Sequence, residues 1–178
     1  MNKNKVLTTQ KTARIAVLAA ACAVLGYIAL DLGNVKVTFE SLPILLSACL
    51  FGPLEGALTG GIGTLIYQLL RYGVSVTTAL WILPYVLCGL FAGLIMKKAN
   101  KNDRFRIFLT VILMEFMILA INTFVIYVDS KVYGYYSAAY VFGSLALRTV
   151  ICAVKSIIFG SVLPVIIRGL SKTAVVRS

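Results

Sequence analysis

The chain has 178 residues, 60% of them hydrophobic and only 13% charged, with a mean hydropathy of +0.95; a soluble domain of this size cannot hide so much apolar surface, because too much of a small fold is surface. The formal net charge of +11 comes from 17 Lys and Arg against 6 Asp and Glu. In a soluble protein that balance would suggest nucleic acid, but here the basic residues stand in short segments beside apolar runs, as topology signals do, which argues against a nucleic-acid partner.

In chain order, a polar, basic start with Lys3, Lys5 and Lys11 leads into a first apolar span, about 13–32. No small-residue cleavage site follows it in a polar exit, so it reads as a retained helix and not a signal peptide. Residues 33–40 form a mixed loop with Lys36 and Glu40. Ser41 then reads as a helix cap and Pro43 as a first-turn residue. The second span, about 37–51, is the shortest. Phe51-Gly52-Pro53 is a tight turn by composition. The third span, about 54–72, concentrates Gly56, Gly60, Gly61 and Gly63 in its first half, where they permit close helix approach. A short polar connection precedes the fourth span, about 79–96. The most basic loop, 97–106, leads to the fifth, about 107–128. A Tyr-rich loop with Tyr133, Tyr135 and Tyr136 has the composition of an interfacial belt. The sixth span, about 139–167, ends in a basic tail.

Charge tests the count. With the N-terminus inside, the outer segments hold only Lys36, Arg71 and Lys131, whereas five spans would put the 97–106 cluster outside, against the positive-inside bias. The expectation is therefore an all-α integral membrane protein. It is a single membrane domain over 1–178, a bundle of six transmembrane helices with both termini cytoplasmic.

Catalytic chemistry finds no support. The chain has no His, no phosphate loop and no paired catalytic carboxylates, and no Ser or Cys has a base partner. Cys22, Cys49, Cys88 and Cys152 stand singly in apolar runs and read as packing residues. Neither a metal nor a cofactor is expected, and the chain is not expected to be an enzyme.

Polar groups inside spans are costly and mark functional positions. Gln68, Arg71, Trp81, Tyr85, Asn122 and Arg148 all fall in the outer half of the bilayer by depth. A pocket there would be cationic, with aromatic walls and amide groups, suited to a flat or carboxylate-bearing small molecule. The bland alternative is that Arg71 snorkels to the interface and that Trp81 and Tyr85 belong to the aromatic belt. Glu115 and Lys155 lie at matching depth, as a structural ion pair between spans five and six or, alternatively, as a proton relay. In the first span, Ala16 and Ala20, like Ala19 and Ala23, are small-xxx-small pairs. They serve either internal packing or docking of another membrane subunit.

The stretch Lys-Val-Thr-Phe-Glu-Ser-Leu-Pro ending at Pro43, followed by Leu-Phe-Gly-Pro-Leu-Glu-Gly ending at Gly56, resembles the substrate-binding (S) components of energy-coupling factor (ECF) vitamin transporters. The likeness covers nearly the whole chain, and the alanine strip resembles the surface by which that family docks on its coupling subunit. It implies capture of a water-soluble vitamin in a bacterial plasma membrane, and delivery through a transmembrane coupling subunit driven by two cytoplasmic ATPases. It further implies that Lys36, Phe39 and Glu40 cap the pocket, and that Ala16 and Ala20 dock the partner. Folate is the leading cargo, since its pterin stacks and its glutamate is anionic, although the segment from Tyr72 to Pro84 departs from the acidic, Pro-Gly-rich connection of folate binders. Pantothenate, riboflavin and other vitamins stay open. The competing readings are a stand-alone secondary transporter of a small organic solute, coupled through Glu115 and Lys155, and a membrane scaffold without transport.

Overall fold

The computed structural model of the protein describes residues 9–32, 35–97 and 103–171. Lys3, Lys5, Lys98, Lys101, Lys172 and Arg177, which carry much of the orientation signal, lie outside these residues. The described chain runs α1 (Thr9–Tyr27), β1 (Leu30–Leu32), β2 (Val35–Val37), α2 (Ser41–Phe51), α3 (Pro53–Tyr72), α4 (Thr78–Met96), α5 (Arg104–Val132), α6 (Ala138–Phe142) and α7 (Leu145–Ser171).

Helices α4 and α5 and the run Ala138–Leu170 are long and apolar enough to cross a membrane. Their outward faces carry exposed Phe91, Leu113, Phe116, Val150, Val154 and Ile157. A helix that is apolar all round makes sense only where neighbours or lipid cover every side. The short α2 is the helix that neighbours cover. Eight of its eleven residues are buried, and it touches α1, α3, α4, α5 and α7. At about 16 Å it is too short to cross a bilayer core alone.

Glycine sets the tightest packing. A Cβ on Gly89 of α4 would lie 2.2 Å from the backbone carbonyl of Gly56 on α3, and one on Gly60 would lie 2.4 Å from the Tyr85 carbonyl oxygen. One on Gly63 would meet Cys22 of α1 at 2.6 Å. No side chain fits at these crossings, so α3 lies backbone to backbone against α4 on one side and close to α1 on the other. The Phe-Gly-Pro turn is equally specific. Gly52 has φ 117°, a conformation that glycine adopts without a Cβ penalty. Its N–H donates to the Ala48 carbonyl at 3.1 Å, and Pro53 opens α3 immediately.

Four expectations from sequence are corrected here. The first helix ends at Tyr27, not near residue 32. The alternating triplets Leu-Asp-Leu and Val-Lys-Val pair as an antiparallel hairpin, with Leu30 opposite Val37 and Leu32 opposite Val35, because an apolar-polar-apolar triplet suits a strand better than a helix end. Ser41 does not cap α2. It is the first helical residue after Glu40, and its hydroxyl is drawn away to Glu115. Helix α5 continues to Val132, so Asp129 lies on a helix and not in a loop. The sixth span is broken after Phe142, where α6 ends and α7 begins at Leu145.

If the α3–α4 crossing holds the bundle, Gly89→Ala lowers stability in detergent by about 1–3 kcal/mol through overpacking. Gly169→Ala, where no described residue lies within 4 Å of an added Cβ, does not lower the thermal midpoint, since Ala is the better helix former. Thermal unfolding of the two purified variants makes the comparison.

Candidate functional site

Helix α5 supplies the spine of the site. Glu115, Asn122 and Asp129 recur every seven residues, which keeps them on one helical face and spreads them over about 21 Å. All three line a cavity of about 960 Å³, bounded also by β2, the N-terminal end of α2, α3, α4 and the first three turns of α7. The cavity reaches the surface at the exposed Tyr133, Tyr135 and Tyr140.

At the inner end, Lys155 Nζ lies 3.0 Å from Glu115 Oε2, with the carboxylate 2% exposed and the ammonium 14%. Ser41 Oγ donates to the other oxygen, Oε1, at 2.5 Å. The carboxylate is thus shared among α2, α5 and α7, and its charge is met from both sides. In a low-dielectric interior neither charge is tolerable alone.

The middle of the cavity is less satisfied. Glu40 is 1% exposed, and its Oε1 accepts from Thr38 Oγ1 at 2.9 Å, but its Oε2 has no partner. Gly26 makes room for that oxygen, since a Cβ there would come within 3.0 Å of it. Asn122 Oδ1 and Arg148 Nη1 are likewise buried without a partner. Tyr85, buried on α4, is within side-chain hydrogen-bonding reach of Glu40 and Asn122 and stands beside Arg148.

Asp129 organises the outer end. It accepts from Thr77 Oγ1 at 2.5 Å, from Trp81 Nε1 at 3.3 Å and from the Tyr135 hydroxyl. Partial burial, and then the hydrogen bond to Asp129, push the Tyr135 phenol above its ordinary range, so it stays protonated and keeps donating. One carboxylate therefore joins the α3–α4 connection to the segment after α5. Nearby, Lys36 Nζ donates to Tyr72 Oη at 2.6 Å and lies 4.8 Å from that ring's centroid.

Of the residues expected to bind substrate, Lys36, Glu40, Gln68, Trp81, Tyr85, Asn122 and Arg148 come together on the cavity wall. Phe39 and Arg71 do not. Phe39 packs into the apolar core, its ring centroid 6.2 Å from that of Phe159. Arg71 Nη1 donates to the Tyr27 carbonyl at 3.2 Å, and its guanidinium stands 6.0 Å from the Tyr27 ring. The cavity is accordingly not the cationic pocket expected from composition. Its charged lining consists of Glu40, Glu115 and Asp129 against Lys36, Arg148 and Lys155, because Arg71 turns outward while Glu40 and Asp129 turn inward. Asp129 is the residue that sequence reasoning missed, although the seven-residue spacing from Glu115 and Asn122 points to it.

On α1 the two alanine pairs part company. Ala19 and Ala23 are buried, and the Ala19 carbonyl faces Gly63. Ala16 and Ala20 lie on the exposed face.

Membrane-capable helices around a solute-sized cavity lined by polar and apolar side chains alike are the architecture of a membrane protein with a small-molecule site. The family model for the ECF transporter substrate-specific component matches residues 10–176, and the chain belongs to that family. It is a substrate-binding component of a transporter and not an enzyme. Two solved structures share the fold. One is the S-component for biotin from an ECF-type ABC transporter, at a TM-score of 0.71 and 17% identity over 98% of this chain and 96% of that one. The other is FolT bound with folic acid, at a TM-score of 0.61 and 20% identity over 88% of this chain and 91% of that one. No curated protein sequence matches the chain.

The inner ion pair yields a stability test. Lys155→Met leaves Glu115 buried with Ser41 alone and costs roughly 3–5 kcal/mol, whereas the double variant Glu115→Leu/Lys155→Met recovers most of that loss. Equal thermal midpoints for the single and double variants in detergent would show that the two groups do not act as a pair.

Proposed function

We propose that this protein is the vitamin-capturing subunit of an ECF-type ABC importer in the bacterial plasma membrane. It crosses the bilayer six times, the short α2 making the second crossing together with the extended residues from Val37 that precede it, with both termini in the cytoplasm. It takes a water-soluble vitamin from the outer side into the cavity between α4, α5 and α7, and passes it on by docking on a transmembrane coupling subunit that two ATPase subunits drive. The observation that carries this reading is the cavity. About 960 Å³ lies at the upper end of the range that small-molecule sites occupy, and buried Glu40, Asn122 and Arg148 each present an unpartnered atom. Buried polar groups left unpaired are uncommon and call for an explanation; a ligand that pairs with them supplies one.

In this scheme Lys36, Glu40, Gln68, Trp81, Tyr85, Asn122 and Arg148 form the binding wall. Glu115 with Lys155 is the structural pair beneath it, the carboxylate met on one oxygen by Ser41 and on the other by Lys155. Folate remains the leading cargo, with biotin, pantothenate and riboflavin beside it. The fold is shared with proteins whose structures concern biotin and folic acid, and the aromatic lining of Tyr67, Trp81 and Tyr85 suits a stacked ring. Native mass spectrometry of the protein purified in mild detergent is expected to show a retained small molecule of vitamin mass that is released on denaturation. A clean apo mass, together with no binding of any of the four vitamins by calorimetry, would remove the capture role.

The exposed Ala16 and Ala20 support docking through α1, because small side chains let a partner helix approach to backbone distance. Ala16→Leu/Ala20→Leu should abolish co-purification with the coupling subunit and stop uptake, while vitamin affinity stays within about twofold. Unimpaired uptake by that double variant would place the docking surface elsewhere.

A further inference from the structure

A second cavity, of about 480 Å³, opens on the flank of the bundle between the start of α5 and the second half of α7, and it shares no residue with the binding cavity. Arg104, Phe105 and Phe108 line it from α5, and Gly160, Ser161 and Val165 from α7. Gly160 creates its floor. A Cβ there would lie 2.3 Å from the Phe108 ring, so the ring occupies the space of the missing side chain. The rim is left uncovered: Phe105 is 76% exposed and Val165 65%, with Ser161 exposed beside them.

This groove is the end of a longer apolar surface. On α5 the exposed Phe105, Leu109, Leu113 and Phe116 follow one another at three- or four-residue spacing, and on α7 Val165, Val162, Ile158 and Val154 do the same. That spacing keeps each set on one helical face. Both helices belong to runs apolar enough to cross a membrane, so these faces meet lipid chains. At the groove the surface turns basic. Arg104 is part of its wall and Arg106 stands two residues on, both exposed. Asp103 is occupied in capping α5, where it accepts from the Arg106 backbone N–H at 3.2 Å. Neither guanidinium has an ion-pair partner among the described residues. An apolar cleft with such a cation at its rim complements a molecule that is apolar along its length and anionic at one end.

We propose that this groove seats one anionic phospholipid, its phosphate on the Arg104 guanidinium and one acyl chain laid between α5 and α7 over Phe105, Phe108 and Val165. On the topology proposed above the lipid comes from the cytoplasmic leaflet, whose anionic surface attracts basic segments. The fork of guanidinium N–H groups matches two phosphate oxygens, and the chain covers aromatic surface that the protein leaves bare. A zwitterionic lipid fills the same groove, but its own cation offsets the attraction at Arg104. A free anion gains the guanidinium alone and leaves the groove empty. The proposed docking strip is a separate surface, since α1, which carries Ala16 and Ala20, packs on α2 and α3.

Native mass spectrometry of the full-length protein in mild detergent, titrated with phosphatidylglycerol or with phosphatidylcholine of the same acyl chains, tests this. The first phosphatidylglycerol should bind about fivefold more tightly than the first phosphatidylcholine, the effect of one arginine at an anionic headgroup. Arg104→Gln should remove that preference, whereas Arg106→Gln, outside the groove wall, should change it less than twofold. Ser161→Phe, which fills the groove from an exposed position, should weaken both lipids; Val165→Trp does the same from the rim if the first variant fails to fold. Equal affinity of the two lipids for the unaltered protein overturns the proposal and needs no variant. So does an equal loss in Arg104→Gln and Arg106→Gln, which would mean diffuse charge, or unchanged binding in both groove-filling variants. Displacement of the lipid by inorganic phosphate would assign the guanidinium to a free anion instead. Loss of co-purification with the coupling subunit at unchanged lipid affinity would make the groove a protein contact and likewise overturn the proposal. No arm reads vitamin binding, so failure here leaves the capture role as it stands.

Discussion

The Glu115 carboxylate is the point at which three helices of this protein are tied together. Lys155 of α7 and Ser41 of α2 meet its two oxygens at 3.0 and 2.5 Å, so α5 cannot rotate or slide without stranding a charge in an apolar interior. Hydrophobic burial gives little orientation among helices in lipid, since lipid tails are as apolar as the side chains they would replace. A buried, fully engaged ion pair supplies that orientation. Once α5 is set by Glu115, Asn122 and Asp129 two and four turns along are set with it, and the face they share becomes the wall of the cavity.

On the opposite side of the molecule the constraint is steric. Gly56 against Gly89, Gly60 against the Tyr85 carbonyl and Gly63 against Cys22 draw α3 close to both α4 and α1. The two devices are complementary. Close backbone contact on the α1–α3–α4 side leaves no room for a guest there, and the wider α4–α5–α7 side, braced by ionic and hydrogen-bonded contacts, holds the open volume. The α1 face turned away from α3 carries Ala16 and Ala20, both exposed among the described residues. A small-residue surface and a binding cavity thus occupy different sides of one short bundle, so each can change without rebuilding the other.

The outer end differs again in character. Asp129 gathers donors from the α3–α4 connection, from α4 and from the segment after α5. The segment after α5 is rich in exposed Tyr, and Lys131 stands 3.8 Å from the Tyr136 ring centroid. Such contacts join otherwise unpacked connections over the mouth of the cavity without contributing to the apolar core.

Much of this protein follows from composition and pattern alone. Apolar runs separated by Gly, Pro and basic clusters locate the helices, because breakers and charges act locally whatever the rest of the chain does. The expense of polar groups at depth likewise singles out Glu115, Asn122, Arg148 and Lys155 before any contact is known. Direction and register are another matter. That Arg71 turns to the Tyr27 carbonyl, that Phe39 enters the core, that Ser41 serves Glu115 instead of its own helix, and that Asp129 and Glu40 face inward all depend on how helices far apart in the chain rotate against one another. A side chain's depth in the bilayer is written in its position along the chain. The neighbour it meets is set by the helix rotations that packing imposes, and those are a property of the whole bundle.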